Sequence, residues 1–220
     1  MSRPSGYATS IVNLVGNTPL SCHCSKLTYH IDGKEDLIYG TGFLVNMPDT
    51  NMYCIMTAGH NIKRPEGGYA TSIEVKFPNT LTFTAHPGEY FVSEIFHKNT
   101  TLKAIDDSSI SDYGLITVDR EKVKAPSALD LRGCAFSVLY SKSSLVNMEC
   151  TVYGYKKGSS EQTKNTSNFY IVQQENFSYI KETEPGVSGA PVFISQNGSD
   201  IAVGIQLSLL SAPSANSALK

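Results

Sequence analysis

The sequence predicts an all-β protein of roughly a dozen short strands in two groups, with few and short helices. Three observations carry that expectation. Apolar or alternating runs are short and are separated by Gly, Pro, Asn, Asp and Ser, the punctuation of strands and turns. No stretch keeps the apolar period of a helix over three successive turns. The segment "DREKVKAPSALDLRG", residues 119–133, interrupts the pattern with charges, a proline and a glycine, as a linker between two β units does.

Taken in order, the first group is expected at 11–15, 21–30, 36–45, 52–58, 72–77, 81–86, 89–97 and 113–118. Residues 52–58, "MYCIMTA", are almost continuously apolar, whereas 72–77 and 81–86 are set apart by Pro78 and Asn79. The run 89–97 follows Pro87 and Gly88. The second group is expected at 134–140, 148–155, 168–182, 191–195 and 201–208, with two units dividing at 1–125 and 126–220. The tail "SAPSANSALK" is small and polar, and reads as frayed or unfinished.

Composition excludes several classes. A chain of 220 residues can bury a large core, and 40% hydrophobic with 17% charged residues is ordinary for a globular protein. A net charge of −2 without a Lys/Arg block leaves no electrostatic footprint for nucleic acid, and no basic amphipathic helix suggests a membrane surface. "MSRPSGYATS" lacks the apolar core of an export signal, and no run approaches the roughly 18 residues that span a bilayer. Five cysteines (Cys22, Cys24, Cys54, Cys134, Cys150) form an odd, sparse set that reads as reduced thiols. A cytoplasmic location is therefore expected. Four Asn-x-Ser/Thr triplets, starting at Asn99, Asn165, Asn176 and Asn197, pull towards export, but the missing signal outweighs them.

Chemistry concentrates in "TEPGVSGAPVFI", which sets Ser188 among small residues ahead of an apolar run. A serine hydroxyl becomes a nucleophile only with a base, and the base needs a group that holds its tautomer. All five histidines (His23, His30, His60, His86, His97) precede Ser188, and Ala190 stands where a nucleophile elbow needs its second glycine, so an α/β-hydrolase is excluded. A strand rather than a helix follows the serine, which leaves the order His, Asp, Ser on a β scaffold. His60 ends the apolar run "MYCIMTAGHNI", with His86 and His97 as competitors. Asp112 opens "DYGLITVD" at the mouth of a strand, while Asp106 and Asp107 stand in the polar run "IDDSS".

"TGFLV" (41–45), "TAGH", "DYGLI" and "GVSGAPV", in that order, resemble the chymotrypsin-like serine peptidases, most closely the glutamyl-endopeptidase (V8-like) or trypsin-like group. The resemblance spans about residues 10–208. It implies two packed six-stranded antiparallel β-barrels, with His60 and Asp112 from the first meeting Ser188 from the second. It implies catalysis by Ser188, His60 and Asp112, an oxyanion hole from the main-chain N–H groups of Gly186 and Ser188, and no metal or organic cofactor. Val187 stands where secreted members carry an aspartate that pairs with a trimmed N-terminus, and Cys54 has no mate for their disulfide near the histidine. "ANSALK" matches only the beginning of the family's final strand.

By the same analogy Glu182, Thr183 and Gln206 lie near the substrate pocket, and preferences for Lys/Arg, Gln or Glu stay open. "CHC" at 22–24 invites zinc, but on a strand its thiols and imidazole face opposite sides, and no second ligand pair follows at finger-like spacing. The expected protein is a serine endopeptidase acting on a protein or peptide, and whether further domains of a longer polypeptide accompany it stays open. The alternative is a non-catalytic or latent module of the same fold that binds peptides or a partner domain.

Overall fold

A computed structural model describes residues 11–18, 36–45, 47, 51–63, 69–77, 82–98, 111–122, 134, 142–172, 176–180, 184–197, 199–209 and 215–219. Thirteen strands and two one-turn helices fall within them. The first unit holds β1 (Ile11–Thr18), β2 (Asp36–Val45), β3 (Met52–Thr57), β4 (Ser72–Lys76), β5 (Thr82–Ala85), β6 (Tyr90–Val92) and β7 (Gly114–Asp119), with α1 (Glu94–Lys98) between the last two. The second follows with α2 (Lys142–Leu145), β8 (Glu149–Tyr155), β9 (Gln162–Val172), β10 (Asn176–Ile180), β11 (Pro191–Gln196), β12 (Ser199–Leu209) and β13 (Ala215–Leu219). The expected strand at 21–30 and the division at 125/126 lie outside the described residues.

The first unit is an antiparallel sheet in the order β5-β4-β1-β2-β3-β7-β6, and the second is a closed barrel in the order β10-β13-β12-β11-β8-β9. Seven strands stand among the described residues of the first unit, where the resemblance implies six, and the turn His86–Glu89 separates β5 from β6, the two edges of the sheet. Pro87 and Gly88 make that turn. Gly88 has φ +96°, the Glu89 N–H donates to His86 O at 2.9 Å, and the Glu89 carboxylate accepts from the His86 N–H at 2.9 Å. Beyond the turn, Glu89 O accepts from the Thr117 N–H of β7 at 2.7 Å.

Alternation fixes which side chains are buried. In β7 the buried residues are Gly114, Ile116 and Val118, and in β4 they are Ile73 and Val75. With Leu44, Ile55, Ile62, Ala85 and Tyr90 these fill the first core. Val152, Phe169, Phe177, Tyr179, Val192, Ile194 and Val203 fill the second, where the Phe169 and Phe177 rings meet edge-on at 4.6 Å. A third cluster joins the units: Phe43 and Ala58 from the first pack with Tyr155, Phe193, Ala202, Ile205 and Leu207 from the second. Burial of such a side chain contributes about 1.5–3 kcal/mol, so this seam holds the units in one register.

Three expectations change. The run 89–97 is strand only to Val92, because Ser93 caps a helical turn: its Oγ accepts from the Phe96 N–H at 3.1 Å and its carbonyl from the His97 N–H at 2.9 Å. The run 168–182 holds the end of β9 and then β10, and β9 reaches back through the polar residues 162–167 to pair with β8. The tail is not frayed, since Ala215–Leu219 pairs with both β10 and β12 and closes the barrel.

Candidate active site

The first half of the site is built by the chain leaving β3. After Thr57 and Ala58, a 3-10 turn over Gly59–Asn61 carries His60. Asp112, immediately before β7, meets it twice: Oδ2 lies 2.7 Å from His60 Nδ1, and Oδ1 accepts the His60 main-chain N–H at 2.8 Å. A carboxylate only accepts, so the ring proton sits on Nδ1 and Nε2 carries the lone pair. Close approach depends on Gly59, where a Cβ would stand 3.0 Å from both Asp112 Oδ1 and the Phe96 ring. The Asp112 side chain is 8% exposed and that of His60 26%. Burial lowers the basicity of the ring, but the Asp112 charge and its hydrogen bond outweigh this, so His60 titrates above the ordinary histidine value.

Ser188 comes from the turn before β11, at the seam between the units. Its main-chain carbonyl accepts from Thr41 N at 2.8 Å and from Asn61 Nδ2 at 2.8 Å, both on the first unit. Its hydroxyl donates to Leu207 O at 2.8 Å rather than to the His60 ring. Gly189 makes the seam possible: with φ +90°, a Cβ there would lie 2.0 Å from Thr41 O and 2.3 Å from Thr57 Oγ1.

Gly186 has φ +99°, and a Cβ would lie 2.4 Å from Lys157 N. The Lys157 N–H donates to Pro185 O at 2.7 Å. In a trans peptide the C=O and N–H point oppositely, so this bond aims the Gly186 N–H away from Lys157. Among the described residues no protein acceptor takes the N–H of Gly186 or of Ser188. These two main-chain donors, separated by Val187, are therefore available to an oxygen from outside the chain.

The remaining candidates separate cleanly. His86 lies in the β5–β6 turn, and His97 sits in α1 with its Nδ1 3.0 Å from Tyr69 Oη and its carbonyl accepting from Lys63 Nζ at 2.7 Å. Gln206 is buried, 1% exposed, and its main chain pairs with that of Gly189 and Ala190, two residues past the serine. Glu182, Thr183, Asp106, Asp107, His23, His30 and the Cys22–His23–Cys24 run lie outside the described residues. Among the described residues no three His, Cys, Asp or Glu side chains are grouped to hold a metal. Three contributors escaped the sequence reading: Thr41, Thr57 and Asn61. They sit in or next to "TGFLV" and "TAGH", but nothing in those strings shows that they bond to one another and, through Thr41 and Asn61, to the serine turn of the other unit.

No protein-family model and no curated protein matches the chain. Solved structures do. A Glu endopeptidase is 18% identical, with a TM-score of 0.63 over 96% of this chain and 84% of that one. A thermostable serine protease from an extremophilic microorganism is 10% identical, with a TM-score of 0.62 over 94% and 89%. The serine protease of a human pathogenic astrovirus is 19% identical, with a TM-score of 0.51 over 94% and 87%. The chain has the chymotrypsin-like serine protease fold. The third hydrophobic cluster lies at the seam between its units, where the Ser188 carbonyl bonds to Thr41 and Asn61 of the first unit.

Proposed function

We propose that the chain is a serine endopeptidase that hydrolyses protein or peptide substrates through an acyl-enzyme. The observation that carries this is the doubly bonded His60–Asp112 pair, held at the seam that also fixes Ser188. Neutral His60 accepts the Ser188 proton on Nε2 as Oγ attacks the scissile carbonyl, and later returns it to the leaving amine. Asp112 keeps the other ring proton on Nδ1 and stabilises the imidazolium. The Gly186 and Ser188 N–H groups receive the oxyanion, each donor contributing about 3–4 kcal/mol to the transition state. Ser188 must first turn from Leu207 O towards His60 by rotation about χ1, a hydrogen bond that in such sites tightens only with substrate present.

That same bond favours the second reading, a latent or non-catalytic module that binds peptides or a partner domain. Fluorophosphonate labelling separates the two. Labelling of the wild type that Ser188→Ala and His60→Ala both abolish supports the peptidase. Unlabelled but well-folded wild type supports the module.

A further inference from the structure

We infer that Thr41 is a positioning residue for the oxyanion donors, acting across the seam from β2 of the first unit. The inference rests on the peptidase reading and goes beyond it to a residue that need not touch substrate. Thr41 is fully buried and every polar atom it has is engaged with the site. Its Oγ1 donates to Gly186 O at 2.8 Å and accepts from the Tyr155 N–H at 3.0 Å. Its N–H donates to Ser188 O at 2.8 Å, and its carbonyl accepts from Thr57 Oγ1 at 2.7 Å.

The Thr41 hydroxyl therefore holds Gly186 from the carbonyl side while the Lys157–Pro185 bond holds it from the amide side. A glycine at φ +99° has broad conformational freedom, so both flanking peptide planes need such restraints to keep its N–H aimed at one point. The main-chain bond to Ser188 survives any side-chain substitution at position 41. The hydroxyl bond does not, which makes its contribution separable. A serine would keep the hydroxyl, whereas a valine of the same shape loses it and takes from Gly186 O the donor that holds it.

The test compares wild type, Thr41→Ser and Thr41→Val in steady-state hydrolysis of a peptide substrate. It adds the affinity of a peptide aldehyde, whose adduct carries an oxyanion-like oxygen, and the affinity of the corresponding peptide alcohol, which forms no adduct. Removing one oxyanion donor outright costs about 10²–10³ in kcat, and loosening one should cost about tenfold to a hundredfold. The expected result is that loss of kcat in Thr41→Val, with KM and alcohol affinity within about threefold of wild type, aldehyde affinity falling in parallel with kcat, and Thr41→Ser close to wild type. Should Thr41→Val not fold, Thr41→Ala carries the same comparison with less steric demand. Unchanged kcat in a folded variant overturns the inference, as does lost kcat with aldehyde affinity intact. Wild type without Ser188-dependent turnover overturns the peptidase reading, and this inference with it.

Discussion

Replacing Asp112 by Asn tests the peptidase reading at its centre. The side chain keeps its shape, and its oxygen can still accept the His60 main-chain N–H that Oδ1 now takes at 2.8 Å. The other terminus, now 2.7 Å from Nδ1, becomes an NH2 group that donates. His60 must then present a lone pair at Nδ1, which puts its proton on Nε2, the nitrogen that has to receive the serine proton. The ring is held in the wrong tautomer and its cation loses its counter-charge. In a Ser-His-Asp triad this exchange lowers kcat by about 10⁴, or about 5.5 kcal/mol of barrier. The pH profile adds an independent reading. On the peptidase reading, wild-type activity should rise as His60 loses its proton, and the Asp112 charge should place that limb above the ordinary histidine value of about 6.5. In Asp112→Asn the raising influences vanish while burial remains, so the residual limb moves to lower pH. Hydrolysis of an activated ester from pH 5 to 9 measures both effects. A variant within tenfold of wild type, or one whose acid limb does not move, refutes the argument.

Other outcomes follow from the same contacts. Stability has its own pH dependence: a folded His60 value raised above the unfolded one contributes stability that is fully present below about pH 6.5 and is lost as pH rises through the folded value. Denaturant titration should therefore show Asp112→Asn losing more stability at pH 5.5 than at pH 8.5. Gly189→Ala drives a methyl against Thr41 O at 2.0 Å with φ +90°, and should lower stability by about 2–4 kcal/mol, read from the urea midpoint. Burial pushes the Cys150 thiol up to about 12, so iodoacetamide at pH 8 should spare it in native protein and label it in urea, by peptide mapping. Phe169→Ala empties the centre of the second core and should cost about 3–5 kcal/mol by the same urea assay.

The sequence made the fold legible where burial writes a pattern. In β3 and β7 one face or both are apolar, and the strands stand where the runs do. It was opaque where strands carry little apolar signal. The first half of β9, "QTKNTS", has exposed or half-buried side chains and is held by pairing to β8, a non-local bond that no local string reports. β13 is similar: "ANSAL" is strand because β10 and β12 present backbone donors and acceptors on either side. At 93–98 a local signal was present and was outweighed by the apolar run, since a serine followed by a glutamate starts a helix more readily than it continues a strand.

The site divides along the same line. His60, Asp112 and Ser188 could be chosen from strings because each ends or begins an apolar run and their order admits one scaffold. The groups that hold them could not. Thr41 and Asn61 are buried polar residues with partners across the seam, and Thr57 links the two within the first unit: Asn61 Nδ2 reaches Thr57 Oγ1 at 2.9 Å and Ser188 O at 2.8 Å. A buried polar group is stable only when its partner is present, and here that partner belongs to the other unit. The seam is thus polar around Ser188 and apolar around Phe43, Phe193 and Ile205. The apolar part supplies association between the units and the polar part supplies register. A substitution such as Asn61→Leu, which raises apolar area but strands the Ser188 carbonyl with one donor fewer, should therefore leave the protein folded and slow its labelling by fluorophosphonate. Labelling at the wild-type rate would mean that the Thr41 N–H alone sets the position of the serine.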